Sequence, residues 1–380
     1  MKKEIVKVLL ILLLIAACSE KNVNEQLTDT YQWVFQDSMQ VEYMGELFLI
    51  DYDPLQELYL GRWNAQEEYV VFDESGAIKH TFKLTEDGPN KVGWATGVNL
   101  LDGKICVMDQ TQGIYFFELD GTFSSKLPIG EDYFHINGLP FGAHRSGDEF
   151  LYFRPEKGGS LEDFRTMYTN VYSSDILEIY NSNTGKIRTS MPFPPNTVYS
   201  TGNFYNWTFP GLYKYKDEWI LWILAELKYF VYKEQEGQIV LSKVVDINLK
   251  DAVPMPGIPI GRYQDWYEEY GNIIFGRIEQ IYRRESDVVV IYTKGVSEDI
   301  ASQYNRDNWE EWSAFLDGIQ RYAAIFDSNH ELIQKDIQVP KGIWLSSIVH
   351  PSGAIIAQKN QEYFGVEEDF LTFYQLNLAK

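Results

Sequence analysis

Short apolar bursts separated by turn residues run the length of the chain, and residues 98–129 show the recurring unit. An apolar run at 105–108 follows a Leu-Asp-Gly turn, and a second run covers 114–119. Asp120-Gly121 then supplies the dipeptide that closes a tight hairpin into 122–127. A unit this small leaves both faces uncovered. Copies must cover one another, and the closed arrangement that does so is a propeller with one small sheet per blade.

The hairpin recurs as an apolar strand ending in an aromatic, a polar turn and a second strand. The aromatic falls at Phe72, Phe117, Tyr180, Tyr232, Phe326 and Phe373, with spacings of 45, 63, 52, 94 and 47 residues. The short spacings set the basic period, and the long ones require insertions. A second turn lies upstream of each hairpin, beginning near residues 51, 99, 144, 215, 283 and 350. The pattern therefore predicts an all-β fold, a six-bladed β-propeller of four-stranded antiparallel blades over residues 30–380. The sixth blade lacks its last strand, and an orphan strand at 31–35 stands before the first. That N-terminal strand is expected to close the ring as a velcro, which removes an exposed sheet edge.

Strand alternation sorts the loops. The first-to-second and third-to-fourth turns share one rim, while the other connections share the opposite one. Every long insertion, at 154–174, 192–205, 248–270 and 296–318, falls on the second rim, which is where binding loops on a rigid scaffold are expected. One short helical insertion is predicted near 307–317. Asp307-Asn308 can cap it, Glu310 and Glu311 suit its first turn, and Trp309, Trp312 and Leu316 share one face. It reads as a lid packed on the propeller, with a partner-binding helix as the alternative.

The first 29 residues change the picture from fold to address. Residues 1–17 carry Lys2, Lys3 and Lys7 beside a short apolar run, too short to span a bilayer of about 20 helical residues. They read as a lipoprotein signal peptide. The ending Leu14-Ile15-Ala16-Ala17-Cys18 resembles a bacterial lipobox, which implies lipidation at Cys18 by acyl chains such as palmitate, each buried methylene contributing about 0.8 kcal/mol. Residues 18–29 then form a lipidated cysteine and a flexible polar tether. Ser19 fits outer-membrane sorting, and the pattern leaves periplasmic and surface faces as alternatives.

Charge and cysteine count exclude further classes. The formal net charge is -22, and removing 1–17 makes it more negative, which argues against nucleic acid as a partner. With Cys18 lipidated, Cys106 alone remains, so no intrachain disulfide is expected, and its apolar run marks it as a small core residue. No phosphate-cradling loop, nucleophile elbow, HExxH or EF-hand pattern occurs. Asp51-Tyr52-Asp53, followed by Pro54, reads as a solvated turn.

Candidate ligand-binding residues gather where strands meet the loop-rich rim: Arg62, Trp63, Trp94, His135, Asn137, Arg154, Tyr205, Asn206, Trp207, Tyr263 and Trp266. Aromatic faces beside amides and guanidinium groups suit a glycan, peptide or protein partner. No catalytic set is identified and no cofactor is expected. The rival reading is a metal-assisted hydrolase, lactonase or lyase with a divalent cation near the central channel. It would draw on His135, Glu46 and Glu279.

A lipobox, a polar tether and six blades with YNSNTGKI-like hairpins resemble the uncharacterised six-bladed β-propeller lipoproteins of Bacteroidota, a domain of unknown function. More distantly the blades resemble NHL-type propellers, from which the irregular spacing and insertions depart. The resemblance implies the fold and a membrane-anchored place in the cell envelope, and it brings no catalytic residues. A monomeric binding protein that works through its loop-rich rim is the resulting expectation.

Overall fold

The computed structural model describes residues 30–64, 67–84, 87–88, 90–93, 95–109, 112–128, 142–154, 164–206 and 210–380. The signal peptide, Cys18 and tether, together with Trp94, His135, Asn137 and Trp207, lie outside the described residues.

Six four-stranded antiparallel sheets form a six-bladed propeller. Strand β1 spans Gln32–Val41. Blade 1 comprises β2 (Phe48–Asp53), β3 (Leu58–Trp63), β4 (Glu68–Asp73) and β5 (Ile78–Lys83). Blade 2 comprises β6 (Ala95–Leu101), β7 (Lys104–Asp109), β8 (Gly113–Phe117) and β9 (Phe123–Pro128). In blade 3 these are β10 (His144–Ser146), β11 (Glu149–Phe153), β12 (Asp175–Asn181) and β13 (Ile187–Pro192). A two-stranded ribbon pairs β14 (Asn203–Phe204) with β19 (Ile258–Pro259). Blade 4 holds β15 (Gly211–Tyr215), β16 (Glu218–Trp222), β17 (Lys228–Gln235) and β18 (Gln238–Asp246). Blade 5 holds β20 (Ile274–Arg283), β21 (Asp287–Val296), β22 (Arg321–Asp327) and β23 (Leu332–Gln338). Blade 6 is β24 (Ile343–Val349), β25 (Ile355–Lys359), β26 (Leu371–Ala379) and, as its fourth strand, β1.

The velcro closure follows the sequence expectation but is longer. Strand β1 pairs antiparallel with β26 from Gln32 opposite Ala379 to Val41 opposite Leu371. The first and last segments of the chain thus lock the ring in one sheet.

The core lies between the blades, and side-chain alternation explains why. Along β4, Val70 and Phe72 pack with blade 6, whereas Tyr69 and Val71 pack with blade 2. A strand sandwiched between two sheets must be apolar on both faces, so third strands read as continuous apolar runs. A cluster of this kind fills each interface between neighbouring blades. Cys106 belongs to the blade 2 and blade 3 interface and is fully buried, and burial pushes its thiol far above the usual range.

The helical insertion is present as α4 below, but it has companions. Helix α1 covers Phe164–Val171, α2 Trp266–Tyr270, α3 Glu298–Ala301, α4 Trp309–Gly318 and α5 Gln361–Phe364. As expected, Asn308 caps α4 by accepting from the Glu311 N–H at 3.3 Å. The others number one or two turns, too short for a periodic apolar stripe to announce them. Helix α4 buries none of its side chains fully. Between it and blade 5 runs an apolar groove of about 620 Å³ lined by Ile300, Tyr304, Phe315, Ile319 and Tyr322.

One turn reading is corrected. Asp51-Tyr52-Asp53 lies in β2, the innermost strand of blade 1, and the turn begins only at Pro54. A register shift between Leu49 and Asp51 marks a bulge there, which re-aims the side chains that follow.

Candidate functional site

The loop-rich rim carries the insertions, and the structure divides its sequence-selected residues into three places. Trp63, at the end of β3, meets the edge of Tyr43 at 6.0 Å and lines a cavity of about 490 Å³ with Met44, Glu46 and Asp369. Its neighbour Arg62 sets its guanidinium 5.4 Å from the centre of the Tyr69 ring. Arg154, leaving β11, pairs with Glu178 at 2.9 Å, and the Tyr152 hydroxyl donates to the same carboxylate.

The remaining four come together above blades 3 and 4. Trp266 is 2% exposed, donates its indole N–H to the Pro256 carbonyl at 2.9 Å and meets Phe204, Tyr267, Tyr270 and Phe275 edge to face. Tyr263 packs on Phe204 at 5.9 Å. The Tyr205 N–H donates to the Tyr168 hydroxyl at 3.1 Å. Asn206, at φ 70°, accepts from the Tyr267 hydroxyl at 2.5 Å. These aromatics form a small core that props the insertions on the ring. Such rings supply area and fixed geometry.

Other rim residues are the exposed ones, and sequence reasoning missed most of them. Met44 is 82% exposed and Trp309 74%, and Tyr363, Phe364 and Val366 beside α5 also face solvent. They sit among acid groups. Segments 42–46, 297–320 and 360–370 carry twelve carboxylates and one cation, Arg306. Arg306 is itself held over Trp312 at 4.2 Å. The only sequence signal for this face was the run Tyr363 to Asp369, where two aromatics precede three acids.

A further cavity opens at the opposite rim. It measures about 840 Å³ and follows the channel axis, walled by the innermost strands of the blades. Asp51 enters from blade 1, accepting from the Leu100 N–H at 2.7 Å and from its neighbour Tyr52 N–H at 2.9 Å. Burial pushes its carboxyl up to about 6, and the two backbone hydrogen bonds only partly oppose that. His144 lines the same space, and burial followed by the Lys214 charge pushes its imidazole down to about 4, so it is neutral near pH 7.

The Asp51 shift is directly measurable. A carboxyl carbon titration is expected to place Asp51 near 6 while exposed aspartates titrate well below it. The sign for stability follows from linkage. A carboxyl whose folded value is raised favours the folded state below its unfolded value near 3.8, and that contribution is lost as pH rises through about 6. The full loss is about 3 kcal/mol. A midpoint near 4 would contradict the burial.

Among the described residues no group of three or more His, Cys, Asp and Glu is placed to hold a metal ion. Glu46 sits beside Trp63 on the rim, while Glu279 lies on β20 and pairs with Arg277 at 3.5 Å. No helix among the described residues is long and apolar enough to cross a membrane.

Compared with known proteins, the sequence matches no family model, and no curated protein resembles it. Its fold is similar to two crystal structures. One is a member of the DUF4221 family from Bacteroides vulgatus, with a TM-score of 0.64, 11% identity, and coverage of 93% of this chain and 99% of that one. The other is a Bacteroides fragilis protein whose name calls it exported, with a TM-score of 0.52, 12% identity and coverage of 92% and 95%. Identities this low establish a shared fold alone.

Proposed function

We propose that this chain is a lipid-anchored binding propeller of the cell envelope that docks a protein partner with a basic face on its loop-rich rim. The observation that carries the reading is the joint exposure of large apolar side chains, Met44, Trp309 and Tyr363 among them, within a field of carboxylates. Exposed large apolar side chains on one rim favour association, and twelve acids against one cation favour a basic partner. The same charge repels an anionic membrane surface. The exported name of the Bacteroides fragilis neighbour and the lipobox at Cys18 support the envelope location.

The ring's topology adds an orientation. Strand β1 runs from the short-turn rim to the loop-rich rim, and Tyr31 at its start lies at the mouth of the axial cavity. A tether leading back from Tyr31 to Cys18 leaves the chain at the short-turn rim. An anchor there turns the loop-rich rim away from the membrane, toward partners.

The test is photo-crosslinking in living cells, with the crosslinking side chain placed at Trp309 or Phe364 on one rim and at Leu55 on the other. Discrete adducts are expected from the first two only, weakened when Glu310 and Glu311 are both changed to Lys. Equal adducts from all three sites, or indifference to charge reversal, would remove the rim from the account. Cys18→Ala is expected to move the protein from the membrane to the soluble fraction, and retention on the membrane would remove the anchor.

A further inference from the structure

We propose that the axial cavity is a second binding site, separate from the rim, for a small neutral polyhydroxylated molecule of mono- or disaccharide size. Its volume of about 840 Å³ lies within the range of small-molecule sites, roughly 300–1,000 Å³. The class of ligand follows from which wall groups are already committed and which are not.

The cations of the wall are committed. Arg283 pairs with Glu218 at 3.0 Å, Arg284 with Asp287 at 2.6 Å and Lys214 with Glu234 at 3.0 Å, and the His350 ring is also engaged, with Glu74 at 2.8 Å. An anionic ligand would have to break one of these pairs to find a partner. The Asn99 amide is committed too. It donates to the Ala143 carbonyl at 2.9 Å and accepts from the Ala143 N–H at 3.1 Å.

Among the groups that keep capacity, two stand on facing inner strands. The Tyr213 hydroxyl has no hydrogen-bond partner among the described residues, although Tyr213 lines the cavity from blade 4, directly across the ring from blade 1. The Asp51 carboxyl, which lines the cavity, accepts two backbone N–H groups and retains further acceptor capacity. The two groups are near enough that, after burial, the Asp51 charge is the next cause raising the Tyr213 phenol. A donor-acceptor hydroxyl on one wall and a carboxyl on the facing wall suit a ligand that presents hydroxyl groups on both of its sides. A wall with spare hydrogen-bonding capacity and no uncommitted cation selects a neutral hydroxylated ligand over an anion.

Titration calorimetry and ligand-observed magnetic resonance on the full mature chain in detergent test this. The probes are glucose, N-acetylglucosamine and maltose, with glucuronate and glucosamine as charged comparators. Saturable binding of at least one neutral sugar is expected. Tyr213→Phe should weaken it about fivefold or more without lowering the melting temperature, since the loss is one hydrogen bond of about 1 kcal/mol. Ser347→Trp, which fills the cavity, should abolish it; should that variant fold poorly, Tyr213→Phe decides alone. No binding of any neutral probe, tighter binding of either charged comparator, or binding indifferent to Tyr213→Phe would overturn the proposal. None of these results bears on the crosslinks expected at the loop-rich rim.

Discussion

Gly76→Ala is expected to lower stability by about 3 kcal/mol or more, the largest effect of any glycine-to-alanine change at a turn of this ring. Gly76 occupies the hairpin between β4 and β5 at φ 83°, a conformation that costs a residue with a Cβ roughly 1–2 kcal/mol. The greater part comes from where the methyl would go. A Cβ on Gly76 would stand 1.8 Å from the carbonyl oxygen of Gln40. That oxygen is backbone and cannot rotate away. Gln40 lies on β1, opposite Thr372, so the clash pushes the closing strand off the blade it completes.

Gly185→Ala is the matched control. It shares the left-handed conformation at φ 68°, and nothing lies within 4 Å of the position its methyl would take. Its loss should be about 1 kcal/mol. Denaturant unfolding of both variants measures the difference, and limited proteolysis should nick the first variant near β1 at lower protease concentration than the wild type. Equal losses would mean that the seam yields to the methyl and that closure of the ring is softer than its register implies.

The ring was legible in the sequence because a propeller writes its repeat in local signals. Each third strand is apolar on both faces, as Val70-Val71-Phe72 is, and each is followed by a polar turn. The orphan strand near Tyr31 was legible for the complementary reason, that the sixth blade supplies only three strands of its own. What stayed hidden depends on geometry that periodicity cannot carry. A bulge in β2 sits between Leu49 and Asp51, so the acids that follow leave the phase of the strand and resemble a turn before Pro54. Aromatic composition likewise cannot separate Trp266, a core residue at 2% exposure, from Trp309 at 74%. Both stand in long insertions among acids, and only the packing of Phe204 and Phe275 distinguishes them.

The second large effect is expected at Arg283→Met, with a loss of about 3–5 kcal/mol near pH 7. Arg283 is 9% exposed at the junction of blades 4 and 5. Its Nε donates to Glu218 at 3.0 Å, and its Nη1 donates to the backbone carbonyls of Arg284 and, at 3.3 Å, Asp287. Glu218 also faces the His330 ring at 3.2 Å, and His330 in turn meets the Tyr229 hydroxyl at 3.0 Å. Methionine keeps the volume but strands a buried carboxylate and its carbonyl neighbours. Burial alone would raise the Glu218 carboxyl, yet His330 and Arg283 outweigh it and hold the group below its ordinary value near 4.5. A depressed carboxyl contributes stability above the unfolded value and loses it as pH falls through the folded value. The penalty of Arg283→Met should therefore be large at pH 7 and shrink as pH falls through the lowered Glu218 value, where the carboxyl protonates even with its partner in place. Denaturant unfolding at pH 7 and below the lowered Glu218 value measures this, and adding Glu218→Gln to Arg283→Met should restore part of the loss at neutral pH. A penalty that is the same at both pH values, with no rescue by the second change, would assign the role of Arg283 to the carbonyls of the turn at 284–287 rather than to the ion pair that joins the two blades.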